Sequence, residues 1–202
     1  LLTFAPVAAI YWWHEGRPST LMLQHLAIAL PLTYLADRWL LPLVVARVAG
    51  AGLAPGTYPL YGLTHLRVWT VEKAMTLSPM NNLAGSAFAA DYLRAAGATI
   101  GSGCHFGTSH LPVPSLVTLG AGSTVGYASH LQGYSIRDGS LHLGRVVLDD
   151  GATVAGQAVL VGPCRLGAGS FLGAQSALRA GQDTGPGEVW EGSPARRMPG
   201  IG

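Results

Sequence analysis

Leu148, Val154, Leu160, Leu166, Leu172 and Leu178 stand six residues apart in an unbroken series. Four residues after each of the first five comes a small residue: Ala152, Ala158, Cys164, Ser170 and Ser176. Leu119, Val125 and Leu131 repeat the spacing, with Ser123, Ser129 and Ser135 four residues on. Ile100 and Phe106 begin a shorter stretch. Helices and hairpin sheets have periods near 3.6 and 2. A sustained period of six fits a chain that makes one short strand and a turn per repeat. Three such repeats close a triangular coil. The aliphatic residue points inward onto its equivalent in the next coil, and the small residue fits the corner beside it. The pattern predicts a parallel β-helix, which buries its core by stacking neighbours.

The period also explains an unusual composition. Of 202 residues, 11% are charged and 49% hydrophobic, with 28 glycines. Soluble domains carry about 25% charged residues. Disordered chains are polar and charged, which excludes disorder. The glycines follow no three-residue period, which excludes collagen. A net charge of +2 without a basic stripe argues against a nucleic-acid partner.

The remaining apolar sequence lies at the other end. Residues 1–13 form one apolar run and residues 21–48 a second, separated by a polar break around Arg17. No Asp, Glu, Lys or Arg occurs from 19 to 36. A helix of that length reaches across a hydrocarbon core of about 30 Å. Ser19 or Thr20 would cap its start, and Pro31 and Pro42 would kink it. These runs predict a transmembrane helical hairpin over 1–50, in contact with membrane lipid. The alternative is a buried hairpin in a soluble protein. Trp12, Trp13 and Trp39 suit the interfaces. Arg38, Arg47, Arg67 and Lys73 lie on the other side of the charge-free stretch from Arg17, which favours a multi-pass cell-membrane protein with its C-terminal part cytoplasmic. Position 1 is not Met, and the chain reads as a piece of something longer.

A connector over 51–97 follows. Leu63, Leu66, Thr70, Ala74 and Leu77 share one face of a helix over 63–77, which Ser78-Pro79 ends. A second helix, 83–96, stops at Gly97. Within the repeat, two phase breaks stand out. Phe106 and Leu119 are thirteen apart, with Pro112 and Pro114 between them. Between Leu131 and Val146, Asp138-Gly139 sits among alternating residues and predicts a projecting hairpin. Loops on a rigid scaffold are where function collects.

The hexads run into Trp190-Glu-Gly-Ser-Pro-Ala195. Over residues 98–198 this resembles the hexapeptide-repeat acyltransferases, which implies a left-handed β-helix over 98–202. A wider resemblance rests on Tyr58-Pro-Leu-Tyr-Gly62, Leu66-Arg-Val-Trp69, Leu77-Ser-Pro79, the helix ending Leu93-Arg-Ala-Ala-Gly97, and His105-Phe-Gly-Thr108. In that order, behind apolar segments, they resemble the C-terminal region of the Pls/PosA-type membrane synthetases, which make ε-poly-lysine and related homopolymers. The resemblance implies a condensation unit that joins a carrier-bound aminoacyl thioester to an amine. It implies a phosphopantetheine-linked donor, no cofactor bound in the unit itself, a carrier-protein domain as partner, and sister β-helix units arranged as a trimer or tandem pseudo-trimer. The alternatives are a free-standing acyltransferase using acyl-CoA, and a non-catalytic copy that completes a sister domain's cleft.

Amide formation from a thioester needs a base for the attacking ammonium and a donor for the oxyanion. Hexapeptide acyltransferases commonly use histidine as the base, which makes His110, His130 and His105 the catalytic candidates in that order. Each could equally be an ordinary surface residue. His110 interrupts the repeat, with Thr108 and Ser109 as nearby hydroxyls. His130 precedes the hairpin that carries His142. Asp149 and Asp150 stand where small residues dominate and suit a cationic acceptor, or else are solvated turn residues. Tyr134 and Trp190 would line a pantetheine cleft, or simply pack. Cys104 and Cys164 occupy small-residue positions and read as buried apolar groups. No zinc-ligand spacing occurs.

Overall fold

The computed structural model describes residues 4–14 and 19–199; the polar break at Arg17 lies outside them. Helices α1 (Phe4–Trp13), α2 (Thr20–Leu35) and α3 (Leu41–Gly50) come first. Ser19 caps α2 by accepting the amide of Met22 at 3.1 Å. A π-helical turn, Ala36–Leu40, joins α2 to α3 without a break. Pro42 accounts for it: proline has no N–H for the carbonyl four residues back, and Leu41 bonds the carbonyl of Ala36 instead.

Among the described residues the expected pair of transmembrane segments is not found. Helix α1 has ten residues, which at 1.5 Å each is about half a hydrocarbon core. Among the described residues only Thr20–Gly50 forms a helix long and apolar enough to cross a membrane. The multi-pass topology falls with that finding, and so does the cytoplasmic placement argued from it. Even this helix has two kinds of surface. No residue of α2 is buried, whereas Pro42, Ala46 and Gly50 of α3 are. Trp12 and Trp13 are exposed. Trp39 instead stacks edge-on against Tyr92, centroids 6.2 Å apart, and its carbonyl accepts the Tyr92 hydroxyl.

Strand β1 (Gly56–Pro59) and helices α4 (Leu63–Leu77), α5 (Met80–Leu83) and α6 (Phe88–Ala95) form the connector. The bounds of α4 match the sequence reading, but its buried face does not. Val68, Val71, Ala74 and Met75 are buried, while Leu63, Leu66 and Leu77 face outward. The reason is that α4 is wedged between two neighbours. Val71 and Met75 join Ala46 of α3 in the main core, and Val68 joins Leu53, Leu141 and Leu143 in a second cluster. The expected helix over 83–96 is interrupted by Gly85, whose φ of 81° is readily adopted only by glycine.

The rest is a β-rich repeat of short strands in three parallel sheets. Sheet one holds β2 (Thr99–Ile100), β4 (Val117–Leu119), β9 (Val146–Leu148) and β12 (Cys164–Leu166). Sheet two holds β3 (His105–Phe106), β5 (Thr124–Val125), β10 (Thr153–Val154), β13 (Phe171–Leu172) and β15 (Val189–Glu191), closed by the antiparallel β16 (Arg196–Arg197). Sheet three holds β6 (His130–Gln132), β11 (Val159–Val161) and β14 (Ala177–Leu178). The six-residue series becomes three inward columns. Ile100, Leu119, Leu148 and Leu166 stack in one. Phe106, Val125, Val154, Leu172 and Trp190 stack in the second, and Leu131, Leu160 and Leu178 in the third. Leu131, Leu160, Leu172 and Leu178 are 0% exposed, so each contributes about 1.5–3 kcal/mol by burial. Ser129 at one corner donates its hydroxyl to the Ala155 carbonyl of the next coil at 2.8 Å, and Ser170 at another donates to Gly167 of its own turn. Gly126 follows an inward valine because a side chain there would meet the backbone of Ala155 and Gly156 at 2.7 Å.

The hairpin predicted at Asp138-Gly139 is present as β7 (Tyr134–Arg137) and β8 (Ser140–Leu143). Both turn residues have positive φ, 50° and 66°, as a two-residue hairpin turn requires. It does not simply project. Strand β1 pairs with β8 to make a three-stranded sheet, and Leu141 and Leu143 are buried beneath α4. The hairpin therefore binds the connector to the upper coils.

Candidate functional site

The break in phase after Phe106 shortens the first coil by one residue on its way to sheet three. Leu111, five residues after Phe106, takes the inward position and is 1% exposed. His110 thereby falls directly above His130, which also precedes an inward leucine. Backbone pairing confirms the alignment, since the Leu131 amide donates to the His110 carbonyl. The two imidazoles lie face to face, centroids 4.3 Å apart and planes 13° from parallel. Below them the column continues with Val159 and Ala177.

Thr108 sets the upper histidine. It is buried, donates to the Ser129 carbonyl at 2.7 Å and accepts the His110 amide at 3.1 Å. The lower ring is held by β6. His130 sits below its ordinary pKa, chiefly because burial disfavours its charged form and also because of His110. A neutral imidazole with a free nitrogen is a proton acceptor.

Both rings line a cavity of about 370 Å³ between the top of the coil stack and the connector. Tyr134, at the start of the hairpin, lines it, as do Ser78, Asn81 and Glu72 from the helices. The Tyr134 hydroxyl donates to Glu72 Oε2 at 2.6 Å. Burial, that hydrogen bond and the carboxylate charge all push the phenol pKa up, so Tyr134 stays protonated.

The other candidates lie elsewhere. His105 is exposed on the outer face of sheet two, in register with Thr124. Asp149 pairs with Arg165 at 2.8 Å, and Asp150 accepts the Ala121 amide at 2.7 Å. Both serve to hold one coil on the next. Trp190 is the last member of the second inward column, and its indole N–H donates to Glu188. Cys164 is buried, with its thiol pushed up to about 12 by burial and by Asp183, which suits packing. His142 contacts Thr57 on the hairpin sheet.

Glu72, Ser78 and Asn81 escaped the sequence reading because they come from the connector, not the repeat. One signal was present for Glu72: it is the single carboxylate between Asp37 and Asp91.

Comparison with known proteins bears on the fold. No family model matches the chain. The δ-poly-L-ornithine synthetase of Acinetobacter baumannii (strain AB307-0294) is 30% identical over 195 residues, covering 96% of this chain and 15% of that much longer protein. A hexapeptide-repeat acetyltransferase of Vibrio cholerae superposes with a TM-score of 0.51 at 15% identity, over 67% of this chain and 93% of that one. A second structure of it, with acetyl-coenzyme A, matches with the same score over 68% and 89%. A galactoside acetyltransferase in complex with coenzyme A gives 0.50 at 14% identity, over 73% and 88%. These likenesses show the fold.

Proposed function

We propose that this chain, which has the hexapeptide-repeat acyltransferase fold and resembles one segment of a poly-amino-acid synthetase, is a membrane-associated condensation unit of such a synthetase. It joins a thioester-bound aminoacyl group to the amine of an acceptor. The stacked His110–His130 pair, facing a cavity closed by the connector, carries the reading. In each turnover an imidazole takes a proton from the acceptor's ammonium. The freed amine attacks the thioester carbonyl, a C–N bond forms and the C–S bond breaks. As the C–S bond breaks the new amide nitrogen loses a second proton; of the two protons released from nitrogen, one goes to the departing thiolate through the imidazolium and the other leaves to solvent. The side-chain amides of Asn81 and Gln132, which line the same cavity, provide neutral donors for the oxyanion.

The donor is an acyl group on a pantetheine arm, carried by a separate carrier domain rather than by free coenzyme A. The likeness to a synthetase segment over 96% of the chain supports that choice. The repeat over 98–202 is read as a closed left-handed β-helix, with 51–97 as its connector. The apolar face of α2 is read as resting in lipid. Sister repeat units complete the cleft as a trimer or tandem pseudo-trimer.

Single-turnover assays on the full-length protein, pre-loaded with an aminoacyl thioester, test the reading. His110→Ala and His130→Ala should each slow amide formation without slowing loading. Unchanged amide formation in the double variant would remove the catalytic role.

A further inference from the structure

Among the described residues, Glu72 is the only acidic residue that lines the histidine cavity, and no lysine or arginine lines it. Its Oε2 is fixed by the Tyr134 hydroxyl at 2.6 Å. Its nearest cation, Lys73, stands 3.9 Å from Oε1, is 54% exposed, and as the next residue leaves the helix on another face. A carboxylate offers about four acceptor positions, and the phenol fills one. A partly buried negative charge with acceptor capacity to spare, beside two imidazoles, matches a group that brings positive charge and several N–H donors. A primary ammonium is such a group.

We infer that Glu72 is the residue that binds the non-reacting ammonium of the acceptor and so sets the discrimination between diamino and monoamino acceptors. One amine loses its proton to the histidine pair and attacks. The other stays protonated on Glu72, with Tyr134 as the positioning residue that orients the carboxylate. Asp149 and Asp150, the carboxylates that the sequence suggested for this task, do not line the cavity and instead meet Arg165 and the Ala121 amide. The inference rests on the condensation reading above.

The test uses the full-length protein pre-loaded with an aminoacyl thioester, so that selection during loading does not enter. Free acceptor is then supplied, either a diamino acid or the monoamino analogue of equal chain length. Glu72→Gln keeps an acceptor for the Tyr134 hydroxyl and removes the charge. It should raise the half-saturating concentration of the diamino acid ~10–100-fold, the worth of a charge-assisted hydrogen bond. The maximal rate should stay within about threefold, and the monoamino analogue should be unaffected. Glu72→Asp should recover part of the loss, and Tyr134→Phe should show a smaller rise. Equal effects on both acceptors, or none, would overturn the inference. If Glu72→Gln changes nothing while His130→Ala stops condensation, the ammonium site is wrong and the condensation reading stands. If the histidine variants change nothing, equilibrium dialysis of the diamino acid against wild type and Glu72→Gln decides the ammonium site alone.

Discussion

The lower coils and the upper coils share one repeat and differ in what they do with it. From Leu148 to Leu178 each inward aliphatic is six residues from the next, no loop interrupts, and the outer column of sheet three carries Val159 and Ala177. Above, the first coil is one residue short between Phe106 and Leu111 and two residues long between Leu111 and Leu119, the second gives rise to the hairpin, and the same outer column carries His110 and His130. The regular half is a rigid base. The departures of the irregular half make a cavity: the shortened step from Phe106 to Leu111 aligns two imidazoles, and the hairpin brings Tyr134 against the connector's Glu72. A perfect repeat has a flat outer face, so a pocket requires the period to fail somewhere.

Removing both histidines breaks this contrast most severely. His110→Ala/His130→Ala should slow amide formation by about 10²–10⁴-fold, the range for loss of a general base, with little change in melting temperature. Matched substitutions below, Val159→Ala with Ala177→Ser, should leave the rate within about threefold. A rate loss of similar size in the lower pair would mean that the two halves do not divide the work this way.

Next in size is a purely structural effect. Leu160 is 0% exposed at the centre of the third inward column. Leu160→Ala should cost about 2–5 kcal/mol of stability, read by chemical denaturation, while the surviving folded fraction keeps its acceptor affinity. Each coil touches only its neighbours, so the lesion should loosen the base before it reaches the histidines.

A smaller effect sharpens the boundary between the halves. Thr108 belongs to the coil by its burial and to the site by its bond to His110. Thr108→Val keeps the volume and removes both hydrogen bonds, costing about 1–3 kcal/mol. If its role in the site is to aim His110, the same substitution should have no further kinetic effect once His110 is alanine, a non-additivity that a double-mutant cycle measures.

The legibility of the two halves follows the same division. The columns were readable because a period of six leaves one inward position per strand, and Leu148 to Leu178 fill it without exception. His110 was readable as an exception to the repeat, and His130 by its place just before the hairpin. Their face-to-face contact was not, because it depends on Leu111 rather than residue 112 turning inward, and Pro112 and Pro114 allow several paths. Glu72 lies about 60 residues before His130 on a helix whose inner face the spacing misassigned. Leu63, Leu66 and Leu77 made the longer apolar stripe, but α4 packs between α3 and the hairpin on Val68, Val71, Ala74 and Met75, with only Ala74 common to both. Asp149 and Asp150 looked exceptional because acidic residues are scarce in the repeat, yet an ion pair and a capped amide account for them. The apolar run at 21–48 declared a long helix. Local hydropathy says nothing of which half docks on protein, and α3 does.

The mildest change concerns pH, and its sign is fixed by the histidine stack. An unperturbed histidine titrates near 6.5. His130 lies below that, first through burial and second through the charge of His110. The acidic limb of the condensation rate should therefore fall at a pH below the ordinary histidine value, since the base stays neutral to lower pH. His110→Ala removes the second cause but not the first, so in any residual activity the limb should move up only part of the way. Stability carries the matching sign. Below about pH 6.5 the unfolded chain binds a proton that folded His130 resists. The contribution is thus fully present above that pH and is lost as pH falls through the folded value. Asn at position 130 has no such titration, and a His130→Asn variant should lose that part of the acid dependence while the lower coils melt as before. A limb that did not move in His110→Ala would mean that the stacked rings do not feel each other's charge, and the pair would then be two independent histidines that share a wall.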